Sequence, residues 1–497
     1  MTTINIIGAG MAGLSAAISL AEHGQKCNLI SLQNSERAQS VLAEGGINAA
    51  LDTMGEQDTT EEHFQDTMRG GAYLADAEAV RGLTDHAPEI VRWLWGLGVP
   101  FHSENEKLIL RNFGGQKKKR TAYAKSSTGK AIVSALIDEV RKYEAKGLVI
   151  RYPHHEFIRL LTGKQSVKGV RVKDLYRGQK IDFYGPVILA SGGLNGFFPG
   201  RTTGTTANSG DVTAIAGAQG VKLSNLEMIQ YHPTTIGISG KRCLISEAAR
   251  GEGGRLFVRK NGVPWYFMEE KYPELGNLMP RDVVSREMYH AVRQPDCDSQ
   301  VYLDMTELDS SIWQNKLSDM RQEILEYMAI DPAKKPVPVS PGIHYFMGGI
   351  EVDKNHRTNL AYLYAAGECT SQYHGANRLG GNSMLGAVYG GRVAAEQSVR
   401  EFQEWNDIEK EDSPEDSADE YEAPVSRGFH ERLGEILVEG MGIVRSEKGL
   451  QHALTLVGDM EENAENKREL ARLRLAENMI VAALRRTESL GAHYRED

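Results

Sequence analysis

The chain opens on four apolar residues, Ile4–Ile7, which run into Gly8-Ala9-Gly10-Met11-Ala12-Gly13. A stretch of helical periodicity, LSAAISLAEHG, follows, and then a second apolar run at Cys27–Leu32. This pattern reads as strand, glycine turn, helix, strand, the opening of a dinucleotide-binding unit. Two later apolar runs end the same way. Pro186–Ala190 leads into Ser191-Gly192-Gly193, and Leu363–Ala366 leads into Gly367-Glu368. Three strand-to-glycine junctions predict one α/β sheet built from discontinuous segments, residues 1–225 plus 338–404. Residues 226–337, of mixed composition, form an inserted α/β cap. Residues 405–424 are a linker, and 425–497 a helical domain, since Leu, Ile and Ala recur at spacings of three and four over 428–489. His154 and His155 fall on a predicted strand and so face opposite ways, which excludes a simple metal pair.

Composition narrows the class. The 497 residues carry 57 Lys+Arg and 67 Asp+Glu, for a net charge of −10. Between Asp407 and Glu422 nine acidic residues and one Lys give −8, so most of that charge sits in the linker. No dominant basic face argues for nucleic acid; Lys117-Lys118-Lys119-Arg120 reads as a solvated face. No apolar run approaches the roughly 18–20 residues that span a bilayer. The glycine-broken N-terminus lacks the basic flank of a signal peptide, which predicts a cytoplasmic protein. Cys27, Cys243, Cys297 and Cys369 are far apart, with no CxxC pair, so neither a disulfide framework nor a run of iron–sulfur ligands is expected. No metal site is expected.

The glycines carry the first chemistry. Gly8 permits the turn, Gly10 lets backbone N–H groups approach a pyrophosphate, and Gly13 lets helix and strand pack closely. Ser31 stands where an NAD-binding fold places an acidic residue, which points to FAD, with Glu368 as the candidate partner of its hydroxyls. The small-residue loop Ser40–Ala50, with Gly45 and Gly46, suits the face of a planar ring. Polar clusters follow: QYHPT at 230–234, SEAARGEGG at 246–254, PRD at 280–282, HYFMGG at 344–349 and HGANRLGGNS at 374–383. A lone His or Arg is usually structural. Three Arg and two His, each flanked by glycine, proline or small residues, instead suggest a grip on carboxylates, with one Arg left for proton work.

With these motifs assembled, together with AEGGINAA, RNFGGQ and ESLGAHYRED, the sequence resembles the flavoprotein subunits of the fumarate reductase/succinate dehydrogenase family, a superfamily that includes L-aspartate oxidase. The resemblance implies a Rossmann-like FAD-binding domain, a capping domain that closes over a small dicarboxylate, and a helical C-terminal domain. It implies interconversion of fumarate and succinate. His232, Thr234, Glu247, His344 and Arg378 would contact substrate, Arg281 would deliver the proton, and Arg250 with Glu247 would relay protons. Flavin contacts would come from Gly8, Gly10, Ala12 and Gly13, from Ser31, and from Ser40, Ala43, Glu44, Gly45 and Gly46. Ala190, Gly192, Asp211, Glu368, Asn382 and Ser383 would complete them.

Departures from the family pattern refine the expectation. Phe113 stands where aspartate oxidases carry a glutamate for the substrate ammonium, which favours an alkene dicarboxylate. Gln39 replaces the histidine that respiratory members join covalently to FAD, so the flavin is expected to be noncovalent, with fumarate reduction the favoured direction. Thr235 replaces a common glycine, which leaves another unsaturated acid open as the acceptor. The ending at Asp497 and Leu490 in place of an arginine bear against inherited docking of an iron–sulfur subunit, although an external electron donor is needed. The competing readings are L-aspartate oxidase and a non-catalytic electron-transfer subunit, and the intact Arg and His set opposes the latter. Membrane association would come only through partners.

Overall fold

The computed structural model describes residues 3–125, 127–238, 240–406 and 421–497. Most of the acidic linker, residues 407–420, therefore lies outside the described residues. A parallel five-stranded sheet forms the centre, in the order Leu363–Ala365, Val187–Leu189, Ile4–Ile7, Cys27–Ser31, Val149–Pro153. Ile4, Ile6, Leu29, Ile188 and Leu363 are buried, as strands covered on both faces require. The three strands predicted to end in glycine junctions are neighbours, and because they are parallel, their carboxyl ends open on one edge.

Helix Met11–Glu22 leaves that edge and packs on Asn382–Asn406. A Cβ on Gly391 would lie 2.2 Å from the Ala12 carbonyl oxygen, so only glycine allows the two helices this contact.

The segment between the second and third junctions builds a six-stranded antiparallel sheet. Its order is Lys241–Leu244, Ile229–Ile238, Val337–Phe346, Val301–Asp304, Arg255–Lys260, Val263–Trp265. It packs with helix Arg281–Ala291 and the two helices Ser310–Asn315 and Ser318–Met328 around a core of Leu256, Val258, Val284, Leu303, Trp313 and Val339. The two longest strands, Ile229–Ile238 and Val337–Phe346, span both units. Ile229 and Phe346 belong to the core shared with the parallel sheet, whereas Ile236 and Val337 belong to the cap. Register shifts flank His232 midway along this pair.

Three helices close the chain: Arg427–Gly440, Glu447–Glu462 and Lys467–Arg485. Each starts at a side chain that caps the backbone, Ser426, Ser446 and Asn466 respectively. The final residues turn back onto the cap. Tyr494 lies beneath the Arg286 guanidinium, 4.7 Å from ring centre to carbon, and Glu496 approaches His290 at 3.9 Å.

Two expectations are corrected. Arg120 is not part of a solvated face. It is fully buried, paired to Asp58 at 2.9 Å and Asp66 at 3.0 Å, because two inward-facing carboxylates need a cation there. His154 is not on a strand. It takes a left-handed turn (φ 60°) that carries the chain from the parallel sheet into the antiparallel strand His155–Thr162, and its ring lies 4.9 Å from that of Tyr176.

His63, buried on helix Thr60–Gly70, shares the Asn382 Oδ1 acceptor with Asn48, at 3.0 and 2.7 Å. Burial, reinforced by the Arg120 charge, pushes the His63 pKa down to about 3. The unfolded chain, with an ordinary value near 6.5, binds the proton first. Stability is therefore retained above about pH 6.5 and lost as pH falls from there towards 3, by about 2 kcal/mol at pH 5 from this residue. Urea titrations at pH 7.5 and 5 should show the loss, and His63→Gln should make it smaller by about that amount, the other buried histidines keeping theirs.

Candidate active site

The carboxyl edge of the parallel sheet and the cap enclose one continuous cleft of about 1500 Å³, its open mouth included. At one end lie Gly8–Ala12, Ser31–Asn34, Ala190–Gly192 and Gly367–Glu368; at the other, Phe113, His232, Glu247, Arg281, His344 and Arg378. The loop Ser40–Gly46 lines the middle.

The first end is built for a dinucleotide. Gly8 has φ +115°, and a Cβ there would sit 2.1 Å from the Ala190 carbonyl oxygen on the adjacent strand. A Cβ on Gly13 would fall 1.9 Å from the Gly8 oxygen. Helix Met11–Glu22 has no side-chain cap and no acidic residue in its first turn, which leaves its positive end open to phosphate. Glu368 follows the third junction and accepts from the Phe346 N–H at 3.2 Å. Burial pushes its pKa up to about 7. Burial, and then Glu323 on the cap helix Ser318–Met328, push that of Glu44 up to about 8.

At the other end an ion-pair chain is enclosed. Arg281, first residue of helix Arg281–Ala291, donates through Nε (2.9 Å) and a terminal nitrogen (2.7 Å) to one oxygen of Glu247. Arg250 stands 3.4 Å from the other oxygen. Burial works to raise the Glu247 pKa, but the Arg281 and Arg250 charges hold it below the usual carboxylate range. Burial, and then the Arg281 charge, push the Arg378 pKa down to about 9. The same two causes drive His232 and His344 well below their ordinary value, so both rings are neutral. Three guanidiniums face a single carboxylate, and His232 Nε2 and Arg378 Nε are buried without partners among the described residues. The Phe113 ring wedges between Gly45 and Gly380, within 3.2 Å of where either Cβ would be.

The predicted residues do not all reach the cleft. Thr234 is buried with its hydroxyl donated to the Ile245 carbonyl, while Ser246 lies on the wall. Arg250 stands behind Glu247. Asn382 lies behind Gly381 and Ser383, bonded to Asn48 and Thr67. Asp211 heads helix Asp211–Ala218 and is held by Arg472 at 2.6 Å and Arg468 at 3.8 Å, which ties the parallel-sheet unit to the C-terminal helices.

Gln230 was not among the expected site residues. Its Oε1 accepts from both Arg281 (3.3 Å) and Arg378 (3.1 Å), and its amide nitrogen donates to Asn377 and the Arg378 carbonyl. Its place two residues before His232, inside the motif already singled out, was the available sign. Thr203, 2.7 Å from His344 Nδ1, carried none.

A parallel sheet with glycine junctions on one edge, closed by a cap that carries buried cations, defines a dinucleotide-dependent oxidoreductase. Comparison with known proteins agrees. Residues 4–384 match the FAD binding domain family, and residues 468–497 match the fumarate reductase flavoprotein C-terminal family. The chain is 36% identical over 542 residues to the succinate dehydrogenase flavoprotein subunit of Bacillus subtilis, with 100% of this chain and 91% of that protein covered. It is 33% identical to L-aspartate oxidase 2 of Ralstonia nicotianae, with 99% and 90% covered. A solved structure of the E. coli quinol fumarate reductase flavoprotein superimposes with a TM-score of 0.88 at 30% identity, covering 100% of this chain and 91% of that one. The chain belongs to the fumarate reductase/succinate dehydrogenase flavoprotein family of FAD-dependent oxidoreductases, as its motifs indicated.

The cleft fits FAD. The close approach at Gly8 and Gly13, the uncapped helix end and the length of the cleft suit pyrophosphate, ribose and ring. Gly8→Ala is expected to push the first strand from its neighbour and leave the purified protein with less than about a tenth of its flavin, read from the ratio of 450 to 280 nm absorbance. Full flavin content in a folded variant would refute this account of the turn.

Proposed function

We propose that the protein reduces fumarate to succinate, and the excess of three buried guanidiniums over one carboxylate carries this reading. Such a pocket lacks anionic charge, and a small dianion supplies it. Arg378 and His344 hold one carboxylate. A Thr203 hydroxyl that donates to His344 Nδ1, 2.7 Å away, leaves the imidazole proton on Nε2, where a carboxylate accepts it. His232 and Ser246 hold the other. Bound FAD supplies the hydride from its isoalloxazine ring. Arg281 gives the proton to the opposite alkene carbon, and Glu247, between Arg281 and Arg250, passes on its replacement. Gln230 fixes the spacing of Arg281 and Arg378. Closure of the cap keeps water out.

Phe113 supports an acceptor without an amine. Its ring offers an ammonium group no hydrogen-bond acceptor, and the surrounding cations repel it. Gln39 supports a dissociable flavin, since its amide cannot form the histidyl bond, and its Oε1 accepts from the Thr205 N–H at 2.6 Å. Electrons come from a separate donor, an iron–sulfur subunit or another reductant. We place the protein in the cytoplasm, at a membrane only through such a partner; among the described residues no helix is long and apolar enough to cross one.

The deciding experiment is anaerobic. Flavin reduced by light should be reoxidised rapidly by fumarate, and Arg281→Gln should slow that step by about 10³-fold. Reduction of the flavin by L-aspartate, with no response to fumarate, would overturn the reading. Acid precipitation should leave the yellow flavin in the supernatant, and flavin retained in the pellet would show a covalent bond despite Gln39.

A further inference from the structure

Outside the pocket wall a second arginine site is built. Arg242 lies on the edge strand Lys241–Leu244, two residues from Leu244, which lines the cleft. Thr235 pairs with both Leu244 and Ser340, Gly237 with Arg242, and His232 with Gly342. Directly paired residues share a face of an antiparallel sheet, so Arg242 occupies the face that carries Leu244 and His232 into the cleft, one step farther out. That step is about 7 Å.

The side chain is fixed there. Its Nε donates to Thr235 Oγ1 at 2.6 Å, and one terminal nitrogen donates to the Ser340 hydroxyl, to the Ser340 carbonyl at 3.1 Å and to the Thr235 carbonyl at 3.3 Å. Gly342 makes room, since a Cβ would fall 2.8 Å from Arg242 Nε. The other terminal nitrogen has no protein partner among the described residues. Arg201 stands alongside: its carbonyl accepts from the Ile343 N–H at 3.0 Å, and the preceding Gly200 lies against Gly240 of the same hairpin. Arg201 is exposed, and among the described residues no carboxylate lies within 4 Å of either guanidinium. The Arg242 pKa is lowered, by burial first and then by the Arg201 charge, as two unneutralised neighbours require.

A guanidinium oriented by hydroxyls and carbonyls, with one N–H edge left over and no counter-ion, is prepared for an oxyanion. We propose that Arg242, oriented by Thr235 and Ser340 and supported by Arg201, forms an outer carboxylate subsite one strand step outside the substrate pocket. The subsite rests on the reading of the inner pocket as a dicarboxylate site. Its ligand is a carboxylate from one of two sources: a four-carbon dicarboxylate in transit, or the distal group of a longer unsaturated acid whose other end occupies the inner pocket.

The test uses the FAD-loaded protein, wild type against Arg242→Gln, Arg201→Gln and Arg242→Lys. Malonate, which has no CH–CH bond to react, and tricarballylate, the product of trans-aconitate reduction, are titrated by perturbation of the flavin spectrum, and reduction of fumarate and trans-aconitate is followed over a range of salt. Arg242→Gln should weaken tricarballylate binding about tenfold or lower kcat/KM for fumarate about tenfold, with Arg242→Lys recovering part of the loss. A loss confined to the three-carboxylate acids assigns the subsite to a distal group. A loss shared by fumarate, with a flatter salt dependence, assigns it to capture on entry. If wild type responds to these acids and both Gln variants match it in every titration, the subsite is wrong while the inner pocket stands. A wild-type flavin indifferent to every acid removes the dicarboxylate reading itself, and the subsite with it.

Discussion

The site depends on keeping one carboxylate charged inside the protein. Glu247 is enclosed, and enclosure alone would neutralise it. Arg281 and Arg250, one on each oxygen, keep it ionised. A buried ion pair of this kind adds little net stability, because desolvation consumes most of the attraction, yet losing one partner costs about 3–5 kcal/mol. The arrangement therefore fixes geometry more than it holds the fold together. Glu247 starts the short helix Ala248–Gly251, and Arg281 starts the cap's Arg281–Ala291, so the pair links two cap elements across the substrate space.

The strands Ile229–Ile238 and Val337–Phe346 convert that link into a pocket. They share their ends between two cores, and the register shifts near their midpoint turn His232 and His344 towards each other, with ring centres 5.2 Å apart. A regular ladder would alternate its side chains strictly between faces. The parallel sheet supplies the opposite wall, where its three glycine junctions meet. Nucleotide end and acid end are thus set by two sheets of different character that meet along one pair of strands.

Much of this was legible in the sequence. The glycine junctions and the helical spacing of the C-terminal region are local patterns, and local patterns fix elements; the insertion's own strands were not read, and its expected end at 337 falls on the first residue of the strand Val337–Phe346. The Arg and His clusters were visible as motifs because flanking glycines and prolines mark backbone that is not simply core. What could not be read was partnership across distance. Arg120 looked like the end of a basic run because Asp58 and Asp66 are about 60 residues away in sequence. Asp211 was assigned to the cofactor because nothing local reveals Arg472, 261 residues on. Thr234 was placed in the cleft for a similar reason: which hydroxyl faces it is decided by the hairpin pairing that gives Thr234 the Ile245 carbonyl and leaves Ser246 on the wall.

The return of the last residues onto the cap has a practical side. Tyr494 and Glu496 rest against Arg286 and His290, on the helix whose first residue is Arg281. A bulky group attached at these last residues therefore loads the cap helix whose first residue holds Glu247.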